Sequence, residues 1–83
     1  MYKIRFSSKA EKFLRKLSKT GEIEFGEIIE EMREDPYLGK SLEGKLINKY
    51  SYRVGVFRVV YKVDKKEKVI TIISAGHRSV IYN

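Results

Sequence analysis

The side chains that could do chemistry in this chain are few, and they fall into two short segments. One segment contains Arg53 and Arg58, and the other ends the sequence with His77, Arg78 and Tyr82. Cysteine is absent and His77 is the single histidine, so the sequence offers no thiolate nucleophile and predicts no transition-metal site. Guanidinium groups bind phosphate oxygens, whereas imidazole and phenol groups can move protons. These residue types indicate phosphate chemistry.

The positive charge of the chain is unevenly distributed. The net charge is +7, yet residues 22–35 contain seven of the eleven acidic residues and a single base, Arg33. The segments 1–21 and 36–83 carry seventeen Lys and Arg residues against four acids. This pattern predicts one acidic helix on a basic body, and a basic surface favours polyanions through phosphate contacts. Solubility alone is the other explanation of such a composition.

Length and hydropathy indicate one domain over residues 1–83. No apolar run approaches the roughly 18–20 residues that span a membrane, and the N-terminus lacks the layout of a signal peptide. We therefore expect a cytoplasmic protein that does not enter a membrane. In so short a chain the working surface should be a groove or a sheet face rather than a deep cavity.

Two amphipathic helices are predicted after an N-terminal strand at residues 2–6. Ser8 and Glu11 match a capping box at the start of the first helix. The Thr-Gly pair at 20–21 interrupts the pattern, and Pro36 ends the second helix because proline disfavours helical geometry in the preceding residue. Both helices are indicated by apolar stripes at helical spacing, which comprise Ala10, Phe13, Leu14 and Leu17, then Phe25, Ile28, Ile29 and Met32.

After a loop at residues 37–45 the hydrophobic period changes to two. Strands are predicted at about 47–54, 56–63 and 68–75, and the last is apolar on both faces, as in a central strand. The order βααβββ predicts an α+β fold in which a two-helix hairpin packs on one face of a mainly antiparallel four-stranded sheet.

A hairpin with Gly55 and Val56 at the centre of a type II′ turn would separate two faces of this sheet, because side chains alternate along strands. The face toward the helices would collect Tyr50, Tyr52, Val54, Phe57, Val59, Tyr61 and Val63. The opposite face would collect Lys49, Ser51, Arg53, Arg58 and Lys62, with Val60 among them.

This register places Arg53 directly opposite Arg58. Like charges across strands are destabilising, by a few tenths of a kcal/mol up to about 1 kcal/mol. A phosphate held between the two guanidinium groups would relieve the repulsion. The alternative is two arginines that splay into solvent. For His77 and Tyr82 the alternatives are a hydrogen-bonded structural histidine and a terminal aromatic folded over the core.

On these residues the chain resembles the RelE/ParE superfamily of toxins over nearly its whole length. The segments that correspond are Leu42-Glu43-Gly44, the run from Arg53 to Tyr61, and the ending from His77 to Tyr82. The family patterns are approximately R-x-R-x-G-x-Y-R-V-x-Y and H-R-x-x-x-Y. The resemblance implies the toxin of a type II toxin–antitoxin system. Among RelE-like members this is an mRNA interferase, an endoribonuclease that needs no metal or cofactor and cuts messenger RNA in the ribosomal A site.

The resemblance also implies roles for individual residues. The ribose 2′-hydroxyl attacks the adjacent phosphorus, while Arg58 and Arg78 stabilise charge on the phosphoryl group and Arg53 is a second basic residue. Tyr82 stacks on a base or handles the 2′ proton, and His77 is the rival general base because its ordinary pKa lies closer to neutrality. The lysines expected to bind RNA are Lys45, Lys49 and Lys62.

One position departs from the family pattern. The first basic residue of R-x-R falls on Ser51, which carries no charge. Lys49, two residues earlier on the same face, could substitute for it. The departure leaves the general base undetermined.

The resemblance further implies partners and two competing functions. We expect an acidic antitoxin similar to RelB, which would connect the toxin to operator DNA, and we expect ribosome-bound messenger RNA as the substrate. Relatives with the same fold poison DNA gyrase instead. A third possibility is a module that binds RNA without cutting it.

Overall fold

A computed structural model describes residues 1–42 and 48–77 of the chain, in which one strand and two helices are followed by four strands. The helices are α1 (Ser8–Arg15) and α2 (Lys19–Glu34). The strands are β1 (Lys3–Phe6), β2 (Lys40–Ser41), β3 (Lys49–Val54), β4 (Phe57–Asp64) and β5 (Val69–His77). None of the described helices is both long and apolar enough to cross a membrane.

The strands form one sheet in the order β1-β5-β4-β3-β2. Among the described strands, only β1 pairs in parallel, with β5, and the other neighbours are antiparallel. The predicted α+β fold with a mainly antiparallel sheet is confirmed, and β5 is an interior strand as its two apolar faces indicated. The strand count was wrong by one, because Lys40 and Ser41, predicted as loop, pair with β3 as a fifth, short strand.

A serine caps the start of each helix, and the cap of the first helix lies one residue before the predicted position. Ser7, not Ser8, is the N-cap of α1: its Oγ accepts a hydrogen bond from the Ala10 backbone N–H and donates one to the Ile73 carbonyl at 2.6 Å. The second helix begins beyond Ser18, whose Oγ accepts from the Gly21 N–H, so residues 20–21 lie inside its first turn. Serine is preferred at this position because its oxygen satisfies an otherwise unpaired helical N–H. The end of α2 before Pro36 is as predicted.

The core lies between the two helices and one face of the sheet. Phe13, Phe25 and Phe57 meet edge to face with ring centroids about 6 Å apart, so both helices and the central hairpin share one aromatic cluster. The buried core residues are Ala10, Phe25, Ile28, Met32, Phe57, Val59, Tyr61, Ile70 and Ile72. The opposite face of the sheet has no helix among the described residues.

The β3–β4 hairpin has the predicted register. Val54 pairs with Phe57 and Arg53 with Arg58. Gly55 has φ of +58°, the left-handed region that the first position of the predicted turn requires and that glycine adopts without a steric penalty. The two faces of this hairpin are therefore those inferred from alternation.

The Tyr61 hydroxyl fastens the segment after α2 to the sheet. It donates to the Pro36 carbonyl at 2.8 Å and accepts from the Gly39 N–H at 2.9 Å. The ring is fully buried and stacks on Tyr50 with centroids 5.5 Å apart. Burial raises the pKa of Tyr61 to about 12, although the Gly39 hydrogen bond acts in the opposite direction. We call this two-bond contact the tyrosine latch.

We predict that Tyr61→Phe lowers the free energy of unfolding by about 1–3 kcal/mol, because the buried Pro36 carbonyl and the half-buried Gly39 N–H lose their partner. The folded pKa lies above the ordinary value of 10.0, so the latch stabilises the fold fully below pH 10 and loses this effect as pH rises toward 12. Urea unfolding across this pH range measures both effects. Tyr37→Phe, at a residue 44% exposed, is the control and should change stability little. Equal alkaline slopes in the wild type and Tyr61→Phe would contradict the prediction.

A second prediction concerns the close approach of Gly39 to the sheet. A Cβ added there would lie 2.8 Å from the Tyr61 hydroxyl oxygen and 2.9 Å from the Ser51 carbonyl oxygen. Gly39→Ala should therefore destabilise the protein by more than about 1 kcal/mol, since backbone must move. Gly26→Ala is the matched control on the exposed side of α2, where a Cβ meets nothing within 4 Å. Gly26→Ala should raise the free energy of unfolding by about 0.5–1 kcal/mol. Thermal unfolding of both variants measures the two effects.

Candidate nucleic-acid interface

The sheet face away from the helices carries a cluster of basic side chains in rows that cross the strands. In the first row Arg53 pairs with Arg58, and Arg58 pairs with Gly76 of β5. A Cβ at Gly76 would meet nothing within 4 Å, so the surface beside Arg58 is open. We call this surface the basic face; its cations in the described strands are Lys3, Arg5, Lys40, Lys49, Arg53, Arg58 and Lys62.

The two arginines of the first row differ in their surroundings. Arg53 is exposed, whereas Arg58 is half-buried and its Nε atom is shielded from solvent. Arg58 lies on an interior strand between β3 and β5, and the paired backbone on both sides holds its Cα in place. A constrained guanidinium beside an exposed one suits the binding of a phosphate whose charge changes during reaction.

Two rows away on the same face lie two more of the predicted cations, Lys49 and Lys62. Lys49 pairs with Lys62, Lys62 pairs with Thr71, and Thr71 pairs with Arg5 of β1. Sequence reasoning placed Lys49 and Lys62 on this face but missed Arg5, because the parallel β1–β5 pairing has no local signal in the sequence.

The middle row contains the neutral pair Ser51 and Val60. The structure adds a cation to this row, because Lys40 of β2 pairs directly with Ser51. Sequence reasoning missed Lys40 by treating its segment as loop. The alternation of Lys40 and Ser41, one charged and one small, is too short to show a period.

His77 lies on the other face of the sheet from the arginine pair. It is paired with Phe57, a core residue, and the two rings have centroids 6.1 Å apart. The cause is a bulge in the β4–β5 ladder: Tyr61 pairs with Ile72, but Val60 pairs with Ser74, so β5 contains one extra residue. Such a residue reverses the faces of all that follow it. The structure thus brings Arg53, Arg58, Lys49 and Lys62 together and separates His77 from them.

Three of the predicted site residues, Arg78, Tyr82 and Lys45, lie outside the described residues. The roles expected for them rest on the sequence. No group of three or more His, Cys, Asp or Glu residues that could hold a metal ion occurs in the part of the chain that the structure describes.

Acidic side chains are collected on the opposite side of the molecule. A shallow groove between α2 and the β3–β4 turn has an apolar floor that includes Phe57, and it is edged by Glu24, Glu27 and Glu31. The Glu31 carboxylate also accepts a hydrogen bond from the Tyr52 hydroxyl at 3.3 Å. Partial burial raises the pKa of Tyr52, and the nearby Glu31 charge raises it further. These carboxylates repel phosphate, so the basic face is the surface suited to a polyanion.

The chain matches known proteins over nearly its whole length. Residues 4–82 match the family model described as the ParE toxin of type II toxin–antitoxin systems, parDE. Toxin RelG of Mycobacterium tuberculosis is 31% identical over 86 residues, covering 98% of this chain and 95% of that protein.

Solved structures show the same fold. The RelBE2 toxin–antitoxin complex of Mycobacterium tuberculosis superposes with a TM-score of 0.83 at 28% identity, covering 93% of this chain and 98% of that chain. The intact RelBE complex of E. coli has a TM-score of 0.80 at 25% identity, covering 93% of this chain and 96% of that chain. The archaeal RelE–RelB complex of Pyrococcus horikoshii has a TM-score of 0.78 at 28% identity, covering 96% of this chain and 98% of that chain. The chain therefore belongs to the RelE/ParE toxin superfamily, in the family of toxins of type II toxin–antitoxin systems.

Proposed function

We propose that this toxin is a ribosome-dependent endoribonuclease that cuts messenger RNA in the A site without a metal. The observation that carries the proposal is the Arg53–Arg58 pair, two like charges placed side by side on an open sheet face. The two guanidinium groups repel each other, and a phosphate that lies between them offsets this repulsion. The similarity to RelG and to the RelE proteins of the solved complexes supports the same activity.

The proposed reaction is an in-line displacement within the messenger. The 2′-hydroxyl oxygen forms a bond to the adjacent phosphorus, and the bond to the 5′ oxygen of the next nucleotide breaks. The products are a 2′,3′-cyclic phosphate and a 5′-hydroxyl, which takes up a proton. Little covalent work falls to the protein, so positioning and charge stabilisation dominate.

Each basic residue has a proposed role in binding the phosphates of the messenger. Arg58 stabilises charge on the phosphoryl oxygens, because it is held by strands on both sides, and Arg53 grips the same phosphate from the exposed side. Lys49, Lys62 and Lys45 bind neighbouring phosphates. Arg78 is proposed as the second stabilising guanidinium.

Tyr82 is the group proposed to take the 2′ proton or to stack on a base. The position of His77 favours this assignment, since its strand pairing directs it to the helix face, away from Arg58. Nearby arginines would favour the phenolate form of such a tyrosine.

An antitoxin is the proposed protein partner. Related toxins are bound to their partners in the solved toxin–antitoxin complexes RelBE2 and RelBE and in the RelE–RelB complex. An acidic antitoxin would be drawn to the basic face rather than to the glutamate-edged groove, and charge complementarity would speed their association.

Inhibition of DNA gyrase is the competing function. It is favoured by the family model that covers residues 4–82, which is that of ParE. Gyrase inhibition requires no cleavage of RNA, so a cleavage assay separates the two functions.

Primer extension on a defined messenger in a reconstituted translation reaction tests the nuclease. We predict new ends inside the A-site codon and none on naked RNA. Arg58→Ala should reduce the rate by about 100-fold or more, because one charge-stabilising donor is lost. Lys65→Ala, in the β4–β5 turn, is the matched loss of charge and should retain activity. An intact messenger together with inhibited gyrase would replace this proposal by its competitor.

The place of His77 yields a separate prediction. A general base contributes roughly 10²–10⁴-fold to rate, so its removal is easily measured. We expect His77→Ala to change the single-turnover rate only a few-fold and to leave the pH profile of cleavage unaltered. A loss near 100-fold with a flattened pH profile would return His77 to the role of base.

A further inference from the structure

Three successive rows of the basic face present cations, and the middle row obtains its charge from outside the hairpin. The first row contains Arg53 and Arg58, and the third contains Lys49 and Lys62. Between them stand Ser51 and Val60, which have no charge, and Lys40 is the residue that pairs with Ser51 from the other side.

The position of Lys40 is fixed by its neighbours along the chain. Gly39 is held by the tyrosine latch, with its backbone close against the Ser51 carbonyl. On the other side, the Leu42 N–H donates to the Lys49 carbonyl at 2.9 Å. Lys40 therefore lies in a segment anchored at both ends, and its side chain is exposed.

By Cα position, Lys40 is the nearest cation to Ser51. Antiparallel partners have Cα atoms roughly 4.5–5.5 Å apart, whereas residues two apart in a strand are separated by about 6.5 Å. Lys40 is thus closer to Ser51 than Lys49 or Arg53, its neighbours along β3. The one ion pair formed among residues 1–42 and 48–77 joins Arg33 to Glu30, so the Lys40 ammonium is not engaged by a described carboxylate.

The spacing of the rows matches a single-stranded nucleic acid. Two residues of a strand contain six backbone bonds and span about 6.5 Å, and one nucleotide also has six backbone bonds from phosphate to phosphate. A single strand extended along β3 and β4 would place successive phosphates over successive rows. The middle phosphate would then meet Ser51 and Val60, with Lys40 beside them.

We infer that Lys40 binds the RNA phosphate that lies over Ser51, so that charge absent from β3 is supplied by β2. The inference rests on the proposed function and adds a substrate-binding residue to it. Lys40 contacts the phosphate next to the one held between Arg53 and Arg58. It positions the strand so that the scissile phosphate is centred in the first row.

The test relocates the charge across one strand pair. Lys40→Gln should lower the single-turnover cleavage rate on programmed ribosomes by about 10- to 100-fold, the loss expected for one charge-assisted contact. Adding Ser51→Lys in the same protein should restore most of the rate, because the ammonium returns to the same row. Lys40→Arg should stay close to the wild type, and Lys65→Gln is the control for loss of charge alone. Circular dichroism melting confirms that each variant is folded.

Binding provides a second readout that does not depend on cleavage. Programmed ribosomes whose A-site codon carries 2′-deoxyriboses cannot be cut by this reaction. On them, Lys40→Gln should make the dependence of log affinity on log salt shallower by about 0.7, the value for one phosphate contact to a single strand. Ser51→Lys should restore this slope also.

The outcomes separate the two proposals. If Lys40→Gln matches Lys65→Gln in rate and in salt dependence, the role of Lys40 is overturned while the nuclease stands. A folded double variant that regains neither quantity also overturns it. If the wild-type protein leaves the messenger intact, the proposed function fails, and the salt dependence alone decides whether Lys40 binds the phosphate.

Discussion

The tyrosine latch is the contact on which the edge of the sheet depends. One buried hydroxyl both donates to Pro36 and accepts from Gly39, so a single side chain fixes the chain at two points three residues apart. A buried phenol with neither partner would carry a large desolvation penalty, and a serine or threonine could not reach both from β4. The turn after α2 and the short strand β2 follow from this contact. Lys40 and its place beside Ser51 depend on it in turn.

A second constraint divides the chemistry between two faces. The bulge opposite Val60 and Tyr61 inserts one residue into β5, and everything beyond it changes sides. Without it, alternation from Ile72 would direct His77 toward the arginines. With it, Ala75 packs against the core and Gly76 leaves open space beside Arg58. The titratable imidazole is thereby kept apart from the guanidinium pair.

Features with a local physical cause could be predicted from the sequence, and those set by distant partners could not. The hairpin register follows from Gly55 and the period of two, and the end of α2 follows from Pro36; both were predicted. The choice of Ser7 over Ser8 as N-cap could not be predicted, because it depends on a hydrogen bond to the Ile73 carbonyl 66 residues away. Lys40 and the side of His77 were missed for a similar reason: a two-residue strand shows no period, and a bulge has no marker in the β5 sequence. Arg78, Tyr82 and Lys45 lie outside the described residues, so that part of the predicted site stays a prediction.

The opposed positions of α2 and the basic face give the molecule a permanent electric moment across its thickness. Seven acidic residues at 22–35 belong to α2 and its C-terminal end, on the helix side, whereas the arginine and lysine rows point the other way. In the field of a large polyanion this moment produces a torque as well as an attraction, so the protein rotates while it approaches. The torque extends about one Debye length, roughly 8 Å at physiological salt, and therefore acts in the last layers of solvent. Approach with the sheet forward is therefore favoured over approach with α2 forward.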